Sequence, residues 1–152
     1  MASLALAFYN AVMLVLMTGL PGTGKSTVAA AVARALPAAL LSADPIERAL
    51  IQSGIEVDDG KAAYEVMKGL ARQHLATGLS VVIDGVNPFE WLRREYIAIA
   101  EEHHELGLVI HTVCAAEAVH RLRVEERHAA GVKEIDWDGG REANGVLRAG
   151  PR

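Results

Sequence analysis

The sequence is poor in cysteine, in aromatic residues and in positive charge. Its one cysteine, Cys114, excludes an internal disulfide and a thiolate metal site, and favours a reducing, cytoplasmic compartment. Aromatic residues make up 5% and the formal net charge is −4, which disfavours a general nucleic-acid binder. Hydrophobic residues make up 51%, and together with a length of 152 residues this predicts one globular domain over 1–152.

An apolar run near the N-terminus has neither the length nor the flanks of a membrane signal. Residues 4–20 are almost continuously apolar, but Tyr9 and Asn10 interrupt the run well short of the ~20 residues of a membrane span. The first basic residue is Lys25, so the positively charged start of a signal peptide is lacking. We therefore expect no membrane association, and interpret residues 1–12 as an extension of the core fold.

Strand-like and helix-like segments alternate along the chain. Short apolar runs bounded by turns predict buried strands at 12–17, 38–42, 80–84 and 108–114. Alanine-rich or amphipathic segments predict helices at 27–36, 45–53, 60–78, 89–102 and 117–129. This order predicts an α/β fold of three layers, in which helices cover both faces of a parallel sheet and a ligand binds at the carboxyl ends of the strands.

Details of two helices also follow from the sequence. Asp44 is predicted to cap the helix that Pro45 opens, and Asn87 to cap the helix that Pro88 opens. The inner face of the second of these helices is predicted to comprise Phe89, Leu92, Tyr96, Ile99 and Ala100. Trp91 falls off this face, which indicates either a partly buried side chain or part of a substrate pocket.

The loop after the first strand carries the clearest chemical signal. It reads G-L-P-G-T-G-K-S and matches the phosphate-binding pattern G-x-x-x-x-G-K-[ST], between a predicted strand and a predicted helix. Its backbone N–H groups would cradle phosphates, with Lys25 on the β- and γ-phosphates and Ser26 on Mg²⁺. The cofactors predicted are therefore ATP and Mg²⁺, since no guanine-reading motif is present. The predicted nucleotide-binding residues are Gly19, Pro21, Gly22, Thr23, Gly24, Lys25, Ser26 and Thr27.

Two aspartates follow predicted strands that neighbour the loop. Asp84 ends an apolar run and is predicted to help Ser26 hold magnesium; the alternative is that it caps a turn at Gly85. Asp44 is predicted to accept the proton of an attacking hydroxyl, and its alternative role is the helix cap named above. The two roles of Asp44 are compatible.

An arginine cluster follows the fourth predicted strand. Phosphoryl transfer needs positive charge near the leaving group, and Arg121, Arg123 and Arg127 are the one dense source. Arg127 and Arg123 are the candidate catalytic residues of a lid. Because Glu125 and Glu126 lie among them, a solvated helix of mixed charge is the alternative. The histidines, including His120, show no metal-ligand spacing, and no role is assigned to them.

Taken together, these residues resemble the bacterial P-loop kinases labelled AAA-family ATPases, which are similar to the polynucleotide kinase, zeta toxin, chloramphenicol phosphotransferase and adenylylsulfate kinase groups. The likeness covers roughly residues 13–138 and rests on the segments 19–27, 44–47, 82–88 and 121–127. It implies strand order 2-3-1-4-5, Mg-ATP binding and transfer of the γ-phosphoryl group to a small hydroxyl acceptor. Residues 139–152 show no strand pattern, so we expect order 2-3-1-4, a missing fifth strand and an irregular tail.

One departure from the resemblance bears on the acceptor. Polynucleotide kinases place an arginine three residues after the acid that activates the acceptor, and Glu47 stands there in this chain. A small-molecule acceptor is therefore favoured over nucleic acid. The alternatives are a nucleotide-binding or ATP-hydrolysing module without kinase activity, and a polynucleotide 5′-hydroxyl kinase. The sequence identifies neither the acceptor nor the oligomeric state.

Overall fold

Four strands and five helices alternate in the residues that the computed structural model describes, which are 11–56, 61–113 and 116–131. The strands are β1 Met13–Thr18, β2 Ala39–Ser42, β3 Val81–Asp84 and β4 Leu106–His111. The helices are α1 Lys25–Ala35, α2 Ala43–Gln52, α3 Lys61–Ala76, α4 Glu90–Glu102 and α5 Glu117–Ala129. This alternation confirms the predicted α/β class.

The strands form one parallel sheet in the order β2-β3-β1-β4. The order confirms the predicted 2-3-1-4 arrangement. The prediction of a missing fifth strand falls on a tail that lies outside the described residues, as does Cys114. Because every strand pair is parallel, the carboxyl ends of all four strands meet at one edge of the sheet, where the loop after β1 also lies.

The central strand β1 is buried along its whole length. Alternate side chains of a strand point to opposite faces of the sheet, so β1 contributes to two apolar layers. Leu14 and Leu16 pack in the layer of α3 and α4, which includes Met67 and Tyr96. The opposite layer, toward α1, comprises Met13, Val15, Met17, Val82, Ala29 and Ala33. The three-layer prediction is thereby confirmed. Within the described part of the chain, no helix is long and apolar enough to cross a membrane.

The predicted cap at Asp44 is wrong. α2 follows β2 without a loop: Ser42, the last strand residue, is extended with φ of −111° and is the N-cap. Asp44 therefore lies inside the first turn of the helix, next to Pro45, whose missing N–H is tolerated there. Asp44 therefore does not serve as the cap.

The predicted start of α4 is also wrong. Asn87 is fully buried with φ of +44°, and its side-chain amide donates to the carbonyl oxygen of Met17 at 2.7 Å, so this side chain secures the loop after β3 to β1. Phe89 is the N-cap instead. Phe89 is also absent from the inner face, because it is 43% exposed and stacks on the exposed ring of Trp91 with centroids 5.7 Å apart.

Candidate active site

The loop between β1 and α1 requires glycine at three positions. Gly19, Gly22 and Gly24 have φ of +137°, +80° and +88°, a region that other residues rarely adopt. At Gly19 a Cβ atom would also lie 2.4 Å from the backbone oxygen of Thr112, just after β4. The first glycine of the motif is therefore fixed both by its backbone conformation and by the closeness of the chain after β4.

Hydrogen bonds inside the loop hold its shape. The hydroxyl of Thr23 donates to the carbonyl oxygen of Leu20 at 2.8 Å and lies 2.9 Å from the hydroxyl of Thr112. Lys25 is 8% exposed, and its ammonium donates to the same Leu20 oxygen at 2.7 Å. The lysine thus lies over the loop whose backbone N–H groups and following helix N-terminus favour an anion. Ser26 and Thr27 are exposed in the first turn of α1.

The two predicted acids follow neighbouring strands at the same edge of the sheet. Asp84, 7% exposed, is the last residue of β3 and pairs in register with Ser42, whose hydroxyl donates to Asp84 Oδ2 at 3.3 Å. Asp44 follows Ser42 by two residues. Since β3 pairs with both β1 and β2, Asp84 lies between the loop and Asp44.

Arg127, one of the predicted arginines, lies close to Asp44. Its guanidinium nitrogen Nη2 lies 3.8 Å from Asp44 Oδ2, with the two side chains 38% and 42% exposed. Arg121 instead bonds Glu125 one helical turn on, at 2.6 Å, as a solvated helix face would. Arg123 is exposed on α5. Within the cluster, Arg127 therefore lies near Asp44, whereas Arg121 pairs along its own helix.

A contact that the sequence did not indicate links α5 to the loop. His120 Nε2 lies 2.6 Å from the carbonyl oxygen of Pro21, and Val124, 8% exposed, packs next to Gly22. The available signal was the spacing of His120, Val124 and Arg127, which places them on one helix face. A lone histidine in a mixed-charge helix gives no other indication.

Tyr64 of α3 is a second residue that the sequence did not indicate. Burial raises the pKa of its hydroxyl; backbone hydrogen bonds from Asn87 and Val86 oppose the shift, and the charges of Asp44 and Glu47 add to it. The hydroxyl therefore stays neutral at ordinary pH. It lies on the side of the site where the carboxylates of Asp44 and Glu47 lie.

The residues present are chemically suited to magnesium. Mg²⁺ takes oxygen ligands and keeps several waters, and Ser26 and Asp84 offer a hydroxyl and a carboxylate on adjacent elements. In the described ranges, no cluster of three or more histidine, cysteine, aspartate or glutamate side chains could hold a metal by itself. A magnesium ion here would thus depend on a nucleotide for further ligands.

A glycine-rich loop between β1 and α1 of a parallel 2-3-1-4 sheet defines a P-loop NTPase of the kinase-like kind. Residues 14–143 match the family model AAA_33, described as an AAA domain, and the chain belongs to this family.

Two curated proteins are similar to this chain over most of its length. The uncharacterized proteins Rv2004c of Mycobacterium tuberculosis and Mb2027c of Mycobacterium bovis are each 29% identical over 167 residues, covering 93% of this chain. The chain spans 32% of the length of these relatives.

Two solved structures illustrate the fold. A candidate kinase from Chloroflexus aurantiacus is 24% identical with a TM-score of 0.69, over 82% of this chain and 71% of its own. The APS kinase CysC of Mycobacterium tuberculosis, solved with AMPPNP and APS, is 20% identical with a TM-score of 0.61, over 80% of this chain and 71% of its own. At these identities the likeness shows the fold.

Proposed function

We propose that this chain binds Mg-ATP and transfers the γ-phosphoryl group to a hydroxyl of a small-molecule acceptor. The observation that carries the proposal is the pair of Asp44 and Arg127, 3.8 Å apart at the strand edge that holds the phosphate-binding loop. A loop of this kind alone indicates nucleotide binding. An acid and an arginine beside it favour transfer to an acceptor.

The loop and α1 supply the nucleotide site in this proposal. Backbone N–H groups of the loop bind the phosphates, and Lys25 leaves its contact with Leu20 to reach the β- and γ-phosphates. Ser26 and Asp84 would hold magnesium, which neutralises charge on the phosphates.

Asp44 receives the proton during transfer. The acceptor oxygen attacks the γ-phosphorus, the bond to the oxygen bridging the β- and γ-phosphates breaks, ADP leaves, and the acceptor proton passes to the Asp44 carboxylate. Arg127 places its charge near the reacting phosphate. The side chain of Asp44 is 42% exposed, so an acceptor has access to it.

The acceptor side of the site favours a small molecule over a nucleic acid. Asp44 and Glu47 both act on the hydroxyl of Tyr64, so two carboxylates are present where the acceptor would bind. A polyanionic strand would be repelled there, and the net charge of −4 adds to the repulsion.

The Asp44→Asn variant tests this function. Removing a general base typically costs a factor of about 10² to 10⁴ in rate, so phosphate transfer from labelled ATP to a screened panel of hydroxyl compounds should fall by at least about a hundredfold. Mg-ATP affinity, measured by calorimetry, should change little, and the exposed Glu101→Gln on α4 is the matched control. Undiminished transfer in Asp44→Asn would remove the proposed base. ATP hydrolysis that no acceptor stimulates would favour a hydrolysing module.

A further inference from the structure

We propose that His120 is a positioning residue that fastens α5 to the phosphate-binding loop and thereby holds Arg127 beside Asp44. This inference rests on the proposed function, because it concerns how the arginine of that site is placed. The loop motif assigns no role to a histidine.

The hydrogen bond between His120 and Pro21 fixes two groups at once. A carbonyl oxygen only accepts, so Nε2 of His120 carries the proton and donates it across 2.6 Å. The peptide bond between Pro21 and Gly22 is trans and planar. Holding the Pro21 carbonyl therefore also fixes the direction of the Gly22 N–H, one of the loop groups available to phosphate.

Packing around Gly22 supports the same contact. A Cβ atom at Gly22 would lie 3.0 Å from Cγ2 of Val124 and 3.3 Å from Cδ2 of His120. All residues of α5 are described by the structure, and Val124 is the only buried one among them. A hydrogen bond and an apolar contact thus both join the helix to the loop.

The same face of α5 carries Arg127. His120, Val124 and Arg127 are spaced four and then three residues apart, which places them on one side of a helix. Arg127 lies about 10 Å along the axis from His120 at ~1.5 Å per residue. Its own pair with Asp44, at 3.8 Å and more than a third exposed, is too weak to hold the helix. The anchor at His120 therefore determines where Arg127 lies.

The test compares two substitutions of His120 in the full chain. His120→Leu keeps bulk but removes the donor, whereas His120→Gln retains an N–H that can reach Pro21. Loss of one hydrogen bond should weaken Mg-ATP binding by about 3- to 10-fold in His120→Leu, and His120→Gln should restore most of it. His128→Leu, on the exposed side of the same helix, is the matched control and should bind Mg-ATP as the parent does.

A double-mutant cycle with Arg127→Ala separates positioning from general damage. If His120 acts through Arg127, then Arg127→Ala weakens Mg-ATP binding by a smaller factor in the His120→Leu background than in the parent. If the loss of Mg-ATP affinity in the double variant equals the product of the losses in the two single variants, the inference is overturned. A His120→Leu variant with parental affinity would also overturn it.

Hydrogen exchange distinguishes this inference from the proposed function. Without nucleotide, His120→Leu should speed amide exchange across α5, and unchanged exchange there would also overturn the anchor. A folded parent that fails to bind Mg-ATP would refute the proposed function, whereas a parent that binds Mg-ATP and is unaffected by His120→Leu would refute the anchor alone.

Discussion

Gly19 shows how strongly a single residue constrains the site. Its φ of +137° is unfavourable for any residue with a side chain, and the backbone oxygen of Thr112 lies only 2.4 Å from the position that a Cβ would take. Thr112 in turn contacts the hydroxyl of Thr23. The loop and the segment after β4 therefore pack directly against each other at Gly19 and Thr23.

We predict that Gly19→Ala destabilises the protein more than Gly78→Ala does. Both glycines have positive φ, but at Gly78 a Cβ would meet nothing within 4 Å. Gly78→Ala should cost about 1 kcal/mol from backbone strain alone, and Gly19→Ala at least about 2 kcal/mol more because backbone atoms must move. Urea unfolding of both variants measures the difference. Equal costs would show that the contact with Thr112 relaxes freely.

Individual site residues differed in how far the sequence could predict them. Lys25 and the loop glycines belong to a motif whose spacing is set by phosphate geometry, so their positions follow from the chain alone. The contact of His120 could not be predicted in this way, because its partner is the backbone carbonyl of Pro21, and every residue has a backbone carbonyl. No sequence pattern marks which carbonyl a distant helix will reach.

At the scale of elements, α3 and α4 are joined by an interface of titratable groups. Lys68, 8% exposed, bonds Glu65 and Glu95 at 2.7 Å each. Burial lowers the pKa of Lys68, but the bonds and charges of the two glutamates outweigh it, and the pKa lies above its usual value. Burial raises the pKa of Tyr96 strongly, and the charges of nearby groups add to this effect.

We predict that the protein loses stability above about pH 10. Tyr96, Tyr64 and Lys68 all have a raised pKa in the folded state, so each keeps its proton in the folded chain after the unfolded chain has lost it. Their contribution to the free energy of unfolding is present in full below the pKa values of the unfolded chain, near 10. It is lost as the pH rises through the pKa values of the folded chain.

Tyr96→Phe tests the largest of these contributions. Urea midpoints measured from pH 8 to 11.5 should fall less steeply in this variant than in the parent, since a phenyl ring has no proton to lose. Parallel curves would show that Tyr96 does not contribute to the alkaline loss.

The bounds of α5 show where element prediction succeeds, and the caps of α2 and α4 show where it fails. α5 was predicted at 117–129 and is observed there. The cap of α4 was wrong because the Asn87 side chain bonds Met17 across the sheet instead of its own helix. Local capping preferences do not include such a distant partner.

At the scale of the whole molecule, the order of the strands creates the site. β1 lies between β3 and β4, and β3 lies between β1 and β2, so the loop, Asp84 and Asp44 follow neighbouring strands in turn. Alternation of strands and helices predicts a parallel sheet, but the order came from the family resemblance, because apolar runs of similar character do not reveal which strands pair.

The central claim is that this arrangement binds Mg-ATP, and calorimetry on the full chain tests it most directly. We predict binding by the parent and at least about tenfold weaker binding by Lys25→Ala, since a hydrogen bond from an ammonium to phosphate is worth about 1.5 to 3 kcal/mol. A thermal melt would establish that the variant remains folded. A folded parent that does not bind Mg-ATP, or a folded Lys25→Ala that binds it equally well, would contradict the account.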